Sequence, residues 1–510
     1  MRLFVCLFCL FTYSSCWATE DLTFGKYAVG FRSGVYFDAS RPPLKEQTQF
    51  REKGRPVYIG FWYPGVLDQK KKRLLQEDYS YTILPSNNFF STTSFSVEQV
   101  GSEKNKAAIK NHLLRSLVNL HGDTNTFIRY YDQLMKEPSH AYDQLSVATG
   151  KFPIIYFQED IFRGSKLCEF LASHGFIVVS VSGFGPFSNA MEWQRVRGLE
   201  TLVEDLQFAK TVTEKEFKNG NAVFGSMGVG MHASAAVCWA MRDPRVKAIA
   251  SLEGGILTSY EWRMIQQSSY YDLKKLKLDM LVMYSPHSAL DSTLLHQYKY
   301  AKRHALFLNQ TSEFYYLNYG YWEKKMPDIL GKAPGDVCGS YSLIAQTTLQ
   351  FFNEQLKAIP TTHKELQTTS LIGRNQLIQA KEIPPADDEL LVMLQQKGFD
   401  TLKKTVDYFL SKDSSAFTYT SFESVARQLI NTRAFQDLIN WSKPFQQLFP
   451  ENTFPFSYTA RGYFELGNKI EAKKYYQLAL TVVDCDLMIP QKIDRVNFRN
   501  AIEQRIRQLN

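Results

Sequence analysis

A chain of 510 residues, 44% hydrophobic and 14% aromatic, carries enough apolar side chain for substantial cores, and at roughly 150 residues per domain it has room for two or three. Its 59 basic and 51 acidic side chains leave a net charge of +8, spread without a basic run long enough for an RNA-binding signature; this argues against a nucleic-acid partner, and KKKR at Lys70 to Arg73 reads as a solvated face. No His/Cys spacing suits a metal, and no cofactor is implied.

The first residues read as an export signal: Arg2, an apolar run from Leu3 to Phe11, then SSCWA, giving a segment 1–18 cut after Ala18. Cys16 after two serines offers a competing lipid-attachment site, although Tyr13 stands where an aliphatic residue is expected. The run is too short to span a bilayer and no later run is long enough, so the expected protein is periplasmic or extracellular and not membrane-spanning. Cys6, Cys9 and Cys16 fall in the signal, leaving Cys168, Cys238, Cys338 and Cys485 with their pairing open; Cys168 and Cys238 sit in apolar helical patterns and read as small core residues.

Tyr27 to Pro43 alternates and breaks like a hairpin, and Arg55 to Pro64 is a strand stopped by its proline. Residues 65–150 turn charged and helical, as an insertion or cap over a sheet would. A strand–helix rhythm follows: strand Phe152 to Gln158, helix Lys166 to Gly175, strand Phe176 to Gly185, and helix Glu192 to Thr213. Next, an apolar run (Ala222 to Phe224) meets three glycines, Gly225, Gly228 and Gly230, then a small-residue helix and a second apolar run, Val246 to Leu252, ending at Glu253. Strands Leu278 to Ser285 and Glu313 to Tyr319 and helix Ser342 to Leu356 complete the pattern of a mostly parallel sheet covered on both faces. The domain is expected over 19–360, a polar linker over 361–384, and a helical domain over 385–510 that opens with a helix from Asp387 to Leu410. Around Phe456, Ala460, Tyr463, Gly467, Ala472, Tyr476 and Ala479 the spacing resembles a tetratricopeptide repeat, with Ala426 one period of 34 upstream of Ala460, so two degenerate repeats and a protein partner through 385–510 are expected.

FPIIYF, LCEFLASHGFIVVSVSGFG, the glycine cluster and DPRVKAIASLEGG, with DASRPP and RPVYIGFWYP before them, resemble the bacterial dienelactone-hydrolase and platelet-activating-factor-acetylhydrolase branch of α/β-hydrolases over most of Tyr27 to Leu356. The resemblance implies an α/β-hydrolase-type fold. It also implies a serine on a sharp strand-to-helix turn with small residues two before and two after, an acid after the next strand, and a late histidine. Ser226 has Gly228 after it but Phe224 before it. With Gly225 as leading glycine, Met227 takes the nucleophile position. Counting back from Glu253, which matches the acid, lands on Gly230, flanked by Gly228 and His232. Tyr319, before Gly320, stands where the histidine belongs, leaving His287, His296, His304 or His232 as substitutes. The turn that should supply oxyanion donors reads QEDIFRG, with Glu159 and Asp160 either repelling an oxyanion or capping the next helix.

Three readings follow: a catalytically degenerate hydrolase that binds a small ester, lipid or peptide or acts as a scaffold; a serine ester hydrolase using Ser226, Glu253 and a relocated histidine such as His287; and an interaction module working through its C-terminal helices.

Overall fold

The computed structural model describes residues 22–45, 52–80, 110–111, 113–114, 117, 122–183, 185–187, 191–193, 195–218, 223–286, 289–360, 370–489 and 491–509; the segment 1–18 expected to act in export and His287 lie outside them. The chain divides into two compact units, Met1–Lys381 and Glu382–Asn510.

Twelve strands of the first unit form one sheet: β1 (Ala28–Asp38), β2 (Arg55–Val66), β3 (Arg73–Leu75), β4 (Pro138–Asp143), β5 (Ser146–Val147), β6 (Ile154–Gln158), β7 (Ile177–Ser182), β8 (Phe224–Val229), β9 (Val246–Leu252), β10 (Asp279–Tyr284), β11 (Lys302–Leu308) and β12 (Ile372–Ile378). Their order is β12-β11-β10-β9-β8-β6-β7-β2-β1-β4-β3, with β5 beside β2. From β7 to β11 neighbours run parallel, and β2 is antiparallel to both β7 and β1. Helices Ile161–Ser173 and Val337–Lys357 cover one face, and helices Val196–Phe217, Met231–Arg242 and Ser259–Gln267 the other. This is the α/β-hydrolase-type architecture expected from the sequence. The central strands are continuous apolar runs because both their faces are buried.

Several elements differ from expectation. Tyr27 to Pro43 is no hairpin in itself: β1 runs unbroken through Gly30 and pairs with β2, because a Cβ at Gly30 would lie 2.4 Å from the Tyr63 ring and only glycine lets the strands lie so close. β2 continues through Pro64, whose carbonyl accepts the Ala148 N–H at 2.9 Å. The expected insertion holds a helix, Thr124–Met135, but also three strands: β4 and β3, which extend the sheet past β1, and β5, which pairs with the end of β2. Glu313 to Tyr319 is not a strand; it is a 3-10 turn (Glu313–Tyr316) followed by a short helix, Asn318–Trp322. The side-chain amide of Asn318 donates to the Phe162 carbonyl at 2.7 Å and to Ser165 Oγ at 2.8 Å, pinning that helix to its neighbour. The strand of this region lies earlier, at β11. The expected linker contains β12, which pairs antiparallel with β11 while its side chains stay largely exposed. Backbone pairing, not burial, makes it a strand. Cys168, Cys238, Cys338 and Cys485 are free thiols, with Cys168 and Cys238 buried.

In the second unit the expected long first helix is two, Asp387–Lys397 and Phe399–Lys412, parted at Gly398 with φ 80°. Helices Tyr419–Asn431 and Phe435–Leu448 are followed, each 34 residues later, by Thr453–Glu465 and Lys469–Val482. Ala426 and Ala460 are wholly buried in the two pairs.

One buried ion cluster fastens helix Val196–Phe217 to the sheet: both Asp205 oxygens accept from Arg55 at 2.8 Å, and Arg41 reaches the same carboxylate at 2.8 Å. Asp205→Ala should destabilise the first unit by ~3–5 kcal/mol in chemical denaturation, because the buried Arg55 guanidinium loses its counter-charge.

Candidate functional site

The corner between β8 and helix Met231–Arg242 is made by a single residue, Gly230, with φ 55° and ψ −130°, a conformation that a side chain strains and glycine holds freely. Two more glycines let it close. A Cβ at Gly228 would lie 2.4 Å from the His232 carbonyl carbon, and one at Gly255, just past β9, would lie 2.4 Å from Gly230 Cα. Gly225 and Gly228 therefore belong to the strand, where they admit close neighbours, and only Gly230 makes the turn. A Cβ on Gly230 would meet nothing nearer than Glu253 Oε2 at 3.9 Å, so the tip of the corner faces open space. In an α/β-hydrolase the nucleophile stands on such a strand-to-helix turn.

Ser226 lies four residues earlier, inside β8 between Tyr156 and Ile249, with no exposure and no partner for its hydroxyl. A Cβ at Gly225 would meet Phe352, whereas one at Gly228 would meet the start of helix Met231–Arg242. The strand's alternation therefore turns Ser226 sideways towards the helix face and away from the strand end. No imidazole is recorded against Ser226 or Glu253 among the described residues.

Glu253 follows β9 in the left-handed region, φ 75°, and is buried at the corner. Burial pushes its carboxyl well above the usual range; the Glu313 and Glu261 charges add to this, and the Gly230 N–H opposes it. Burial likewise pushes Glu261 up to about 8, against the hydrogen bond that its Oε2 accepts from Ser234 at 3.1 Å. Tyr319, on the short helix, is buried, and its phenol is pushed up to about 12, first by burial and then by Asp160 and Glu159, with Arg163 opposing. Such a phenol keeps its proton at neutral pH and is no general base.

The loop after β6 is fully engaged. The Glu159 N–H donates to the Phe157 carbonyl at 3.0 Å and the Asp160 N–H to Glu159 Oε1 at 2.9 Å, so neither is turned to an oxyanion. Asp160 caps helix Ile161–Ser173 by accepting the Arg163 N–H at 2.7 Å, as expected of a carboxylate there. Glu159 does something else: Oε1 accepts from Arg163 at 2.7 Å, and Oε2 lies 3.6 Å from His232 Nδ1. Although burial opposes ionisation, the Arg163 charge and the His232 contact hold Glu159 down at about 2. The other His232 ring nitrogen, Nε2, is buried without a partner, and the ring lies 5.6 Å from that of Trp193. The residue two past the turn is thus an imidazole held by the carboxylate of the oxyanion loop. Sequence reading had no signal for this pairing, which joins two distant strand ends. His304, near the start of β11, lies 3.6 Å from Asp279 Oδ2 at the start of β10, at the opposite end of the parallel strands from the corner, and His296 is exposed on a 3-10 turn.

No protein-family model matches the chain, and no curated protein matches it in sequence. Among solved structures it is similar to a ferulic acid esterase from Streptomyces cinnamoneus, at 13% identity and a TM-score of 0.47, over 71% of this chain and 100% of that one.

Two predictions follow from the corner's polar groups. Ser226→Ala should stabilise the protein by about 1 kcal/mol in denaturant titration, because it removes a buried hydroxyl that has no partner. Folding raises Glu261 from 4.5 to about 8, so its favourable contribution is complete below the unfolded value and is lost as pH rises towards the folded one. Glu261→Gln should therefore gain thermal midpoint relative to the parent between about pH 5 and about pH 8.

Proposed function

We propose that this chain is an exported binding or scaffold protein on an α/β-hydrolase body that has lost ester hydrolysis. The reading is carried by Gly230: the residue at the strained tip, where the fold lifts a nucleophile, has no side chain. The surroundings support it. The acid beside the tip sits among other carboxyls, a phenol stands at the histidine position, and the loop N–H groups are consumed locally. The space over Gly230 then serves a small ester, lipid or peptide as a binding place, in keeping with the kinship to the dienelactone-hydrolase and platelet-activating-factor-acetylhydrolase branch proposed from the sequence. The paired C-terminal helices, with their 34-residue offset and buried Ala426 and Ala460, support a tetratricopeptide-like surface for a protein partner. Residues 1–18 act as the export signal in this reading, which places the protein in the periplasm or outside the cell; retention of Cys16 would add a lipid anchor.

The test is fluorophosphonate labelling beside p-nitrophenyl ester turnover. No covalent label and no turnover above buffer are expected, for the parent and for Ser226→Ala alike. Labelling that disappears in Ser226→Ala would restore the working-esterase reading.

A further inference from the structure

Away from the Gly230 corner, the first unit has a pocket of about 350 Å³, within the ~300–1,000 Å³ range of small-molecule sites. Rings make up much of its wall. The His140 ring stacks on Phe24 with centroids 3.4 Å apart and planes 9° from parallel, and Tyr321 and Tyr341 pack edge to face at 6.1 Å. Phe170 braces Phe24 edge on at 5.9 Å, and Tyr341 is almost wholly buried, so these faces are held in place.

Charges of both signs stand around the rings, and the fold already engages them. Of the two lysines in the lining, Lys325 pairs with Glu137 at 2.6 Å and Lys324 has its partner within the chain. Carboxylates are as close: burial pushes the thiol of the lining Cys338 up, and the Asp336 and Glu323 charges add to this. Asp336 accepts the Gly339 N–H at 2.8 Å and Glu323 the Asp328 N–H at 2.5 Å. Behind the wall, the buried Lys166 and Glu169 face each other at 3.5 Å. An entering anion would meet the carboxylates and an entering cation the lysines, so what the pocket offers a guest is flat apolar surface and no preferred sign of charge.

We propose that the pocket lined by Phe24, His140, Tyr321, Cys338 and Tyr341 binds a small uncharged aromatic molecule. Its ring packs on the aromatic wall, where stacked or edge-to-face contact adds to burial. A charged substituent would give up water for surroundings of mixed sign and costs affinity whichever its own sign. The pocket shares no lining residue with the Gly230 corner, so the proposal stands or falls apart from the loss of hydrolysis.

Calorimetric titration of the full chain with benzyl alcohol, cyclohexylmethanol, benzoate and benzylammonium tests it. Benzyl alcohol should bind about three- to tenfold more tightly than cyclohexylmethanol and about tenfold more tightly than either ion. Cys338 reports whether the ring sits in this pocket. At about ten times the measured dissociation constant, benzyl alcohol should slow maleimide modification of Cys338 about tenfold, while that of Cys485, exposed in the second unit, stays unchanged. Ser342→Phe, which fills the cavity, should abolish the heat. No benzyl alcohol heat at about 10 mM, where a millimolar site would be about nine-tenths filled, overturns the proposal. So does equal or tighter binding of cyclohexylmethanol or of either ion, an unprotected Cys338, or parent-like binding in Ser342→Phe. Should that variant fail to fold, the Cys338 rate in the parent decides instead.

Discussion

Everything near the strand ends of the first unit depends on how closely three backbones meet. β8, the start of helix Met231–Arg242 and the loop past β9 converge until Gly228, Gly230 and Gly255 touch main chain to main chain, with added methyl groups falling inside 3 Å at two of the three. That contact brings Glu253 beside the turn and sets the helix start against the loop after β6. The tip itself faces space, yet its φ and ψ are ones that glycine holds without strain. The geometry of the corner is therefore set by its glycines and the backbones they bring together.

The charges around that corner are pulled in opposite directions by their neighbours. Glu159 keeps its charge in spite of burial because Arg163 and His232 answer it, whereas Glu253 and Glu261 are driven towards the neutral form by burial first, with the Glu313 charge adding to both. A hydrolytic site needs an ionised acid at the imidazole and free donors at the oxyanion. Here the ionised acid and the imidazole meet at the oxyanion loop, and the carboxyl beside the tip keeps acidic company. The same residue types are present as in a working site, distributed to different partners.

Packing at the sheet edges shows a related economy. β12 is largely exposed on its side chains and exists through its ladder with β11, while β4 extends the other end beside β1. Arg303, on β11, is buried, and its two terminal nitrogens donate to the Leu295 carbonyl at 3.1 Å and the Gln379 carbonyl at 2.6 Å, so a charged residue inside a strand helps tie the chain beyond β12 to the sheet. In the second unit, the wholly buried Ala426 and Ala460 leave room for close helix packing, and the Trp441 Nε1–H donates across a helix pair to the Phe422 carbonyl at 3.0 Å.

The layered α/β architecture, the central strands and the paired C-terminal helices were legible in the sequence, because apolar runs and helical periodicity are local signals that burial on two faces enforces. The sequence narrowed the nucleophile question to Ser226, Met227 or Gly230 and went no further, since glycines that allow close packing and glycines that turn the chain are written with the same letter. Elements with little burial or mixed composition stayed illegible: β12 is polar, β11 opens with the run Lys302, Arg303 and His304 before its apolar residues, and the aromatic run at Phe314 to Leu317 suits strand and helix alike. Only the tertiary structure decided that Gly230 is the tip, that Ser226 faces a helix, and that Glu159 holds His232. Those facts depend on where strand ends distant in the chain come to lie, and no local pattern of residues encodes that distance.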